Sequence, residues 1–115
     1  MNEIQMLIGG QQRAASNGAT FERRNPLAHS VATRAPAATV ADAQAAVEAA
    51  AQAFPAWAAM GPGERRALLM KASQSLAAKA DAFVAAMAAE TGASGIWAGF
   101  NVHLAADMLL EAASL

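Results

Sequence analysis

Apolar residues recur at helical spacing from residue 40 onward. Val40, Val47 and Phe54 repeat every seven residues, and alanines fill the same side, which predicts a helix with one narrow buried face. Thr39 has the spacing of an N-cap residue relative to Asp42. Pro55 is expected to end the helix. The pattern therefore predicts a first helix over residues 39–54.

A second apolar stripe covers residues 62–91. Pro62 suits a first helical turn, Glu64 suits the positive end of the helix dipole, and Gly92 suits a left-handed cap. One long helix is predicted, and a kink near residues 79–81 is compatible with the pattern. The stripe contains Leu68, Leu69, Ala72, Leu76, Ala80, Phe83, Val84 and Met87.

A third helix is predicted over residues 95–115. Its large apolar residues are Ile96, Trp97, Phe100, Leu104, Met108 and Leu110. No Gly, Pro or Asn closes the pattern before Leu115, so the helix is expected to be truncated.

Residues 1–36 instead show turn signals between short β-type runs. Residues 6–8 and 11–14 flank Gly9-Gly10, which predicts a hairpin, and residues 20–23 and 31–34 read as further strands. The predicted fold class is mainly α with short N-terminal β-strands.

Composition narrows the function. Alanine contributes 35 residues, the net charge is −1, and cysteine is absent. The charge does not favour nucleic acid, and the missing cysteine excludes a thiol nucleophile and disulfides within these residues. No signal peptide or membrane span is recognised, so a cytoplasmic location is expected.

Candidate chemistry within the chain is sparse. His29 and His103 are far apart and lack ligands at metal spacing, so no metal site is predicted. His103 and Asp107 are one helical turn apart, which predicts a surface hydrogen-bonded pair more readily than an oriented base. Gly92, Gly95 and Gly99 match neither dinucleotide-binding nor P-loop spacing. No catalytic or cofactor-binding residue is assigned.

A series of short motifs occurs in a fixed order along the chain. The motifs are Ile8-Gly9-Gly10, Asn25-Pro26, residues 38–47, Ala53-Phe54-Pro55-Ala56-Trp57, residues 65–69 and Glu90-Thr91-Gly92. No motif is specific alone, but their order and spacing, over essentially the whole chain, resemble the start of the aldehyde dehydrogenase superfamily. The closing segment 97–103 is most similar to the branch that acts on aromatic aldehydes.

The resemblance implies that residues 1–115 are an incomplete N-terminal portion of an α/β, Rossmann-type cofactor domain. The parent would be an NAD- or NADP-dependent homo-oligomeric enzyme that oxidises an aldehyde to its acid. Its catalytic Cys, general-base Glu and oxyanion Asn would lie downstream. The 115 residues alone are expected to be inactive and to self-associate, with no nucleic-acid or membrane partner.

The resemblance also gives one candidate substrate site. In the family this last helix approaches the aldehyde tunnel, so Trp97, Phe100 and Asn101 are predicted to contact substrate. The alternative is that the two aromatic residues are core residues that dock the helix.

Two positions depart from the family pattern. Leu27-Ala28-His29-Ser30 replaces a turn that usually contains glycine, and Gln12 stands where many members have tryptophan. These departures affect the turn after Asn25-Pro26 and the packing of the first hairpin.

Two other functions fit the pattern. One is a small self-contained helical interaction protein or homodimer without catalytic activity. The other is a regulatory subunit that completes a dehydrogenase formed by another polypeptide.

Overall fold

The computed structural model describes all 115 residues and places five short strands before four helices. This order confirms the predicted class, mainly α with N-terminal strands. The chain separates into two compact units, residues 1–58 and 59–115. The elements are β1 Asn2–Glu3, β2 Met6–Ile8, β3 Gln11–Arg13, β4 Thr20–Arg24, β5 Val31–Pro36, α1 Val40–Ala59, α2 Pro62–Ala77, α3 Ala80–Thr91 and α4 Gly95–Ser114.

The first unit begins with the predicted hairpin. β2 and β3 pair antiparallel, with Met6 opposite Arg13 and Ile8 opposite Gln11. Gly9 and Gly10 have φ of 59° and 76°, the two positive values that a tight hairpin turn of this kind needs. The glycine pair therefore sets the register of the hairpin.

A separate three-stranded sheet has the order β1-β5-β4. The central strand, β5, pairs parallel with β1 and antiparallel with β4. Arg34 forms ion pairs with Glu3 at 3.6 Å and Glu22 at 3.2 Å across both partners. The sequence did not predict β1, because two polar residues carry no strand pattern.

The loop between β4 and β5 is built around Asn25. Its side-chain oxygen accepts from the amides of Leu27 and Ala28, each at 2.8 Å. His29 has a φ of 57°, the left-handed region that favours glycine. His29 thus adopts positive φ in the segment where the family pattern usually contains glycine.

Helix α1 begins as predicted but ends later than predicted. The Thr39 amide donates to Asp42 Oδ2 at 2.8 Å and the Asp42 amide donates to Thr39 Oγ1 at 3.3 Å, which is a reciprocal cap. The prediction that Pro55 ends the helix is wrong, since α1 continues to Ala59. Residues 51–59 are exposed, so water can satisfy the carbonyl that the proline leaves without a donor.

The predicted buried face of α1 is also wrong within this chain. Val40, Val47 and Phe54 are 76%, 70% and 65% exposed. The side of α1 that is covered contains Asp42 and, partly, Ala45 and Ala49. The seven-residue repeat therefore marks an apolar face that no other element of the chain covers.

The second unit divides the predicted helix 62–91 into α2 and α3. The Lys79 amide bonds to the Leu76 carbonyl, three residues back, and Lys79 has φ −103° and ψ 14°, outside helical geometry. The break falls at the site of the predicted kink. It allows both α2 and α3 to pack on α4.

Helix α4 docks through its small residues. Its buried residues are Ala98, Val102, Ala106 and Ala113, spaced mostly one turn apart. The large residues that the sequence placed in its apolar stripe are exposed. The apolar stripe therefore identified a face of α4 that no other element of the chain covers, and not the face that docks.

Candidate functional site

The predicted substrate-contact residues lie in the first two turns of α4. Ser94 caps the helix, and its Oγ accepts from the Trp97 amide at 3.3 Å. This cap fixes the start of the helix, and with it the direction in which the following side chains project.

Trp97 and Phe100 form a stacked aromatic pair. Their ring centroids are 5.5 Å apart and their planes meet at 25°. Trp97 is 57% exposed and Phe100 is 51% exposed. Since Ala98 and Val102 occupy the docking face of α4, the aromatic pair is not part of the core of this unit.

Asn101 is held beside the pair by its own helix. Its Nδ2 donates to the Trp97 carbonyl at 2.8 Å, which leaves the side-chain oxygen of Asn101 as an acceptor. The structure thus brings together all three predicted residues. They form an apolar stacking surface with one neutral acceptor, and none of them is a general acid or base.

The other titratable candidates form no site. His103 and Asp107 are both exposed on α4, whereas His29 is in the strand-connecting loop of the first unit. No group of three or more His, Cys, Asp or Glu side chains could hold a metal ion.

The glycines near α4 do not fit a dinucleotide. Gly92 ends α3 with φ 71°, and the segment that follows leads from helix to helix instead of from strand to helix. The Trp97 amide at the start of α4 already donates to Ser94. A dinucleotide-binding turn leads from a strand into a helix, so this segment does not have that arrangement.

Asp42 is the centre of a polar cluster that the sequence predicted only in part. Besides Thr39, its carboxylate accepts from the Ser16 amide at 3.2 and 3.1 Å and from the Ser16 hydroxyl at 3.3 Å. The amides of Thr39 and Ser16 hold the pKa of Asp42 below its ordinary value. The partners are backbone amides and hydroxyls, so the cluster is structural.

Two bonds between α2 and α4 were not predicted. Ser73 Oγ donates to the Ala106 carbonyl at 2.8 Å, and Arg66 Nε donates to the Ala113 carbonyl at 2.9 Å. A sequence signal did exist for Ser73, because this polar residue lies at helical spacing between Leu69 and Leu76. Arg66 had no such signal. No helix of the structure is both long enough and apolar enough to cross a membrane.

A family model and individual sequence relatives both match this chain and indicate the same family. A sequence model of the aldehyde dehydrogenase family matches residues 13–115. A vanillin dehydrogenase of Pseudomonas fluorescens is 56% identical over 115 residues, which are 100% of this chain and 24% of the relative. A salicylaldehyde dehydrogenase of Pseudomonas putida is 48% identical over 101 residues, covering 88% of this chain and 21% of the relative.

Comparison of the fold with solved structures gives the same family. The crystal structure of a salicylaldehyde dehydrogenase from Pseudomonas putida G7, complexed with salicylaldehyde, superimposes with a TM-score of 0.97 at 43% identity. The match covers 100% of this chain and 24% of that one. The chain therefore spans about a quarter of the length of the relatives that it matches.

Proposed function

The chain belongs to the aldehyde dehydrogenase family, and we propose that it forms the N-terminal part of an NAD- or NADP-dependent enzyme that oxidises an aromatic aldehyde to its carboxylic acid. The observation that carries the proposal is the 56% identity, along the entire chain, to a vanillin dehydrogenase. The proposal includes homo-oligomeric assembly, which follows from the family resemblance. It also includes a cytoplasmic location, which imaging of the tagged complete protein would test.

The proposed role of these residues is to recognise the substrate. The exposed rings of Trp97 and Phe100 offer a surface on which an aromatic ring can stack, and the Asn101 oxygen can accept a bond from a ring hydroxyl. When bound, NAD or NADP accepts a hydride in the reaction. Because cysteine is absent, a cysteine nucleophile would come from another part of the polypeptide.

The function is tested with the purified complete polypeptide. We expect reduction of NAD or NADP with benzaldehyde or vanillin, and a lower kcat/KM with propanal. The 115-residue chain assayed in parallel should give no turnover. Oxidation of propanal alone, or of no aldehyde, would contradict the proposal.

Replacing Trp97 tests the stacking surface directly. Trp97→Ala should raise KM for benzaldehyde by about two- to tenfold, the factor that corresponds to one lost aromatic contact. KM for propanal should change much less, because an aliphatic chain cannot stack. Steady-state kinetics of both substrates measure the difference.

Two further variants act as controls for Trp97→Ala. Trp97→Phe keeps a ring and should retain most of the preference for benzaldehyde. Ile96→Ala removes an adjacent exposed apolar side chain from α4 and should leave the preference unchanged. Equal effects of Trp97→Ala on both aldehydes would remove this residue from the substrate site.

A further inference from the structure

Two hydrogen bonds with matched spacing join α2 to α4. Ser73 Oγ donates to the Ala106 carbonyl and Arg66 Nε donates to the Ala113 carbonyl. The donors are seven residues apart on α2, and the acceptors are seven residues apart on α4. Seven residues are about two turns, so each helix uses one side for both bonds. The pairing runs in opposite chain directions, as in two antiparallel helices.

The apolar contacts of α4 define its position only coarsely. Three of its four buried residues are alanines, which allow close approach but present little shape that would oppose a small shift or rotation. A slide by a full turn, about 5.4 Å, is opposed by size, because it would bring Leu109 or Leu110 to the place of Ala106 or Ala113. A directional bond, in contrast, is lost when its two atoms move apart by much less than this distance.

Ser73 is well suited to fix this register. It is 4% exposed, so its hydroxyl needs a partner within the protein. A helical carbonyl has a second lone pair, so Ala106 can accept from Ser73 in addition to its intrahelical bond. Shifting α4 along α2 by a fraction of a turn would leave this buried hydroxyl without a partner.

The register of α4 sets the position of the aromatic pair. Trp97 precedes Ala106 by nine residues, which is about 13–14 Å along the axis and half a turn around it. The Trp97 ring therefore lies on the side of α4 opposite Ala106, and it moves whenever the helix slides or rotates at Ala106. We propose that Ser73, supported by Arg66, is a positioning residue that places Trp97 and Phe100 and so determines the preference for aromatic aldehydes. This inference rests on the proposed function.

The experiment compares single variants of the complete polypeptide by their kcat/KM for benzaldehyde and propanal. Ser73→Ala should lower the benzaldehyde-to-propanal ratio by about two- to tenfold, mainly through KM for benzaldehyde. Arg66→Met removes the second donor but keeps an apolar stem, and should lower the ratio in the same direction. Arg66→Met also supplies the measurement if Ser73→Ala does not accumulate as folded protein.

The chain provides matched controls for both variants. Ser75→Ala repeats the serine-to-alanine change at an exposed position of α2. Arg65→Met repeats the arginine-to-methionine change at the residue next to Arg66. Both should leave the ratio unchanged. Ser73→Cys, with a weaker donor of similar size, should give an intermediate ratio.

The outcomes separate this inference from the proposed function. Suppose that the unaltered enzyme prefers benzaldehyde. If Ser73→Ala then changes kcat/KM for both aldehydes by the same factor, or changes neither value, the positioning role is overturned and the proposed function is retained. A change with Ser75→Ala as large as that with Ser73→Ala also overturns the positioning role. If the unaltered complete polypeptide oxidises no aldehyde, both are overturned.

Discussion

Asp42 connects the start of α1 to the turn that precedes β4. The carboxylate accepts from the amides of Thr39 and Ser16, at 2.8 Å and at 3.1 Å for the nearer oxygen. These bonds favour the charged form and lower the pKa of Asp42. One side chain thereby satisfies amides that are 23 residues apart in the chain, which links the helix to the strand region.

The lowered pKa predicts a pH dependence of stability. Asp42 stabilises the fold at pH values above about 3.9, the ordinary aspartate pKa. The contribution is lost as the pH falls below that value and through the lower pKa of the folded state. Asp42→Asn should therefore have a lower thermal midpoint at pH 7, and its difference from the unaltered complete protein should shrink as the pH falls below about 4.

The control for this prediction is Asp81→Asn, which changes an exposed carboxylate in the first turn of α3. It measures the effect of the helix dipole without the cluster around Asp42. A difference between the unaltered protein and Asp42→Asn that stays constant from pH 7 to the acid limit would contradict the assignment.

Residue-scale contacts could be predicted only where the partners are close in the sequence. The spacing of Thr39 and Asp42 predicted the reciprocal cap, and the glycine pair predicted the hairpin turn. Ser16 was missed because 26 residues separate it from Asp42. The three residues of the aromatic site were named from the family resemblance, and their exposure could not be read from spacing. Apolar residues recur at the same interval on a core face and on a binding face.

At the scale of elements, periodicity predicted that helices form but not which face of each is covered. On α4 the large apolar residues and the alanines lie on different sides, and the alanine side is buried. The alanine side packs on α2 and α3, whereas the larger apolar side meets no other element of this chain. The break between α2 and α3 had only a weak sequence signal, because neither Gly nor Pro lies at residues 78–79.

The continuation of α1 through Pro55 gives a prediction about this element. A proline inside a helix removes one backbone bond and crowds the preceding turn, at a cost of up to about 3 kcal/mol. Pro55→Ala should therefore raise the free energy of unfolding of the complete protein by about 1–3 kcal/mol. Urea unfolding followed by circular dichroism measures the change.

Pro62→Ala is the matched control for Pro55→Ala. Pro62 is the first residue of α2, where the missing amide has no intrahelical partner to lose, so its replacement should be nearly neutral. Equal effects of the two substitutions would show that Pro55 does not interrupt a continuous helix.

At the scale of the whole molecule, much of the large apolar content of both units is exposed. This content includes the repeat on α1 in the first unit and the aromatic pair on α4 in the second. A self-contained helical protein would bury these side chains, so the exposed faces favour a longer polypeptide that covers them.

The exposed apolar faces predict association of the 115-residue chain. We expect its weight-average mass, measured by sedimentation equilibrium, to rise with concentration. Val47→Glu places a charge on the apolar face of α1, where desolvation of the carboxylate would oppose contact, and should weaken association by about tenfold or more. Ala41→Glu is the control, since Ala41 is exposed about 120° around the helix from Val47.

In the complete polypeptide, where further chain is expected to cover this face, Val47→Glu should instead lower the thermal midpoint. A chain that stays monomeric at every concentration and unfolds in one cooperative transition would contradict the incomplete burial on which the proposal depends.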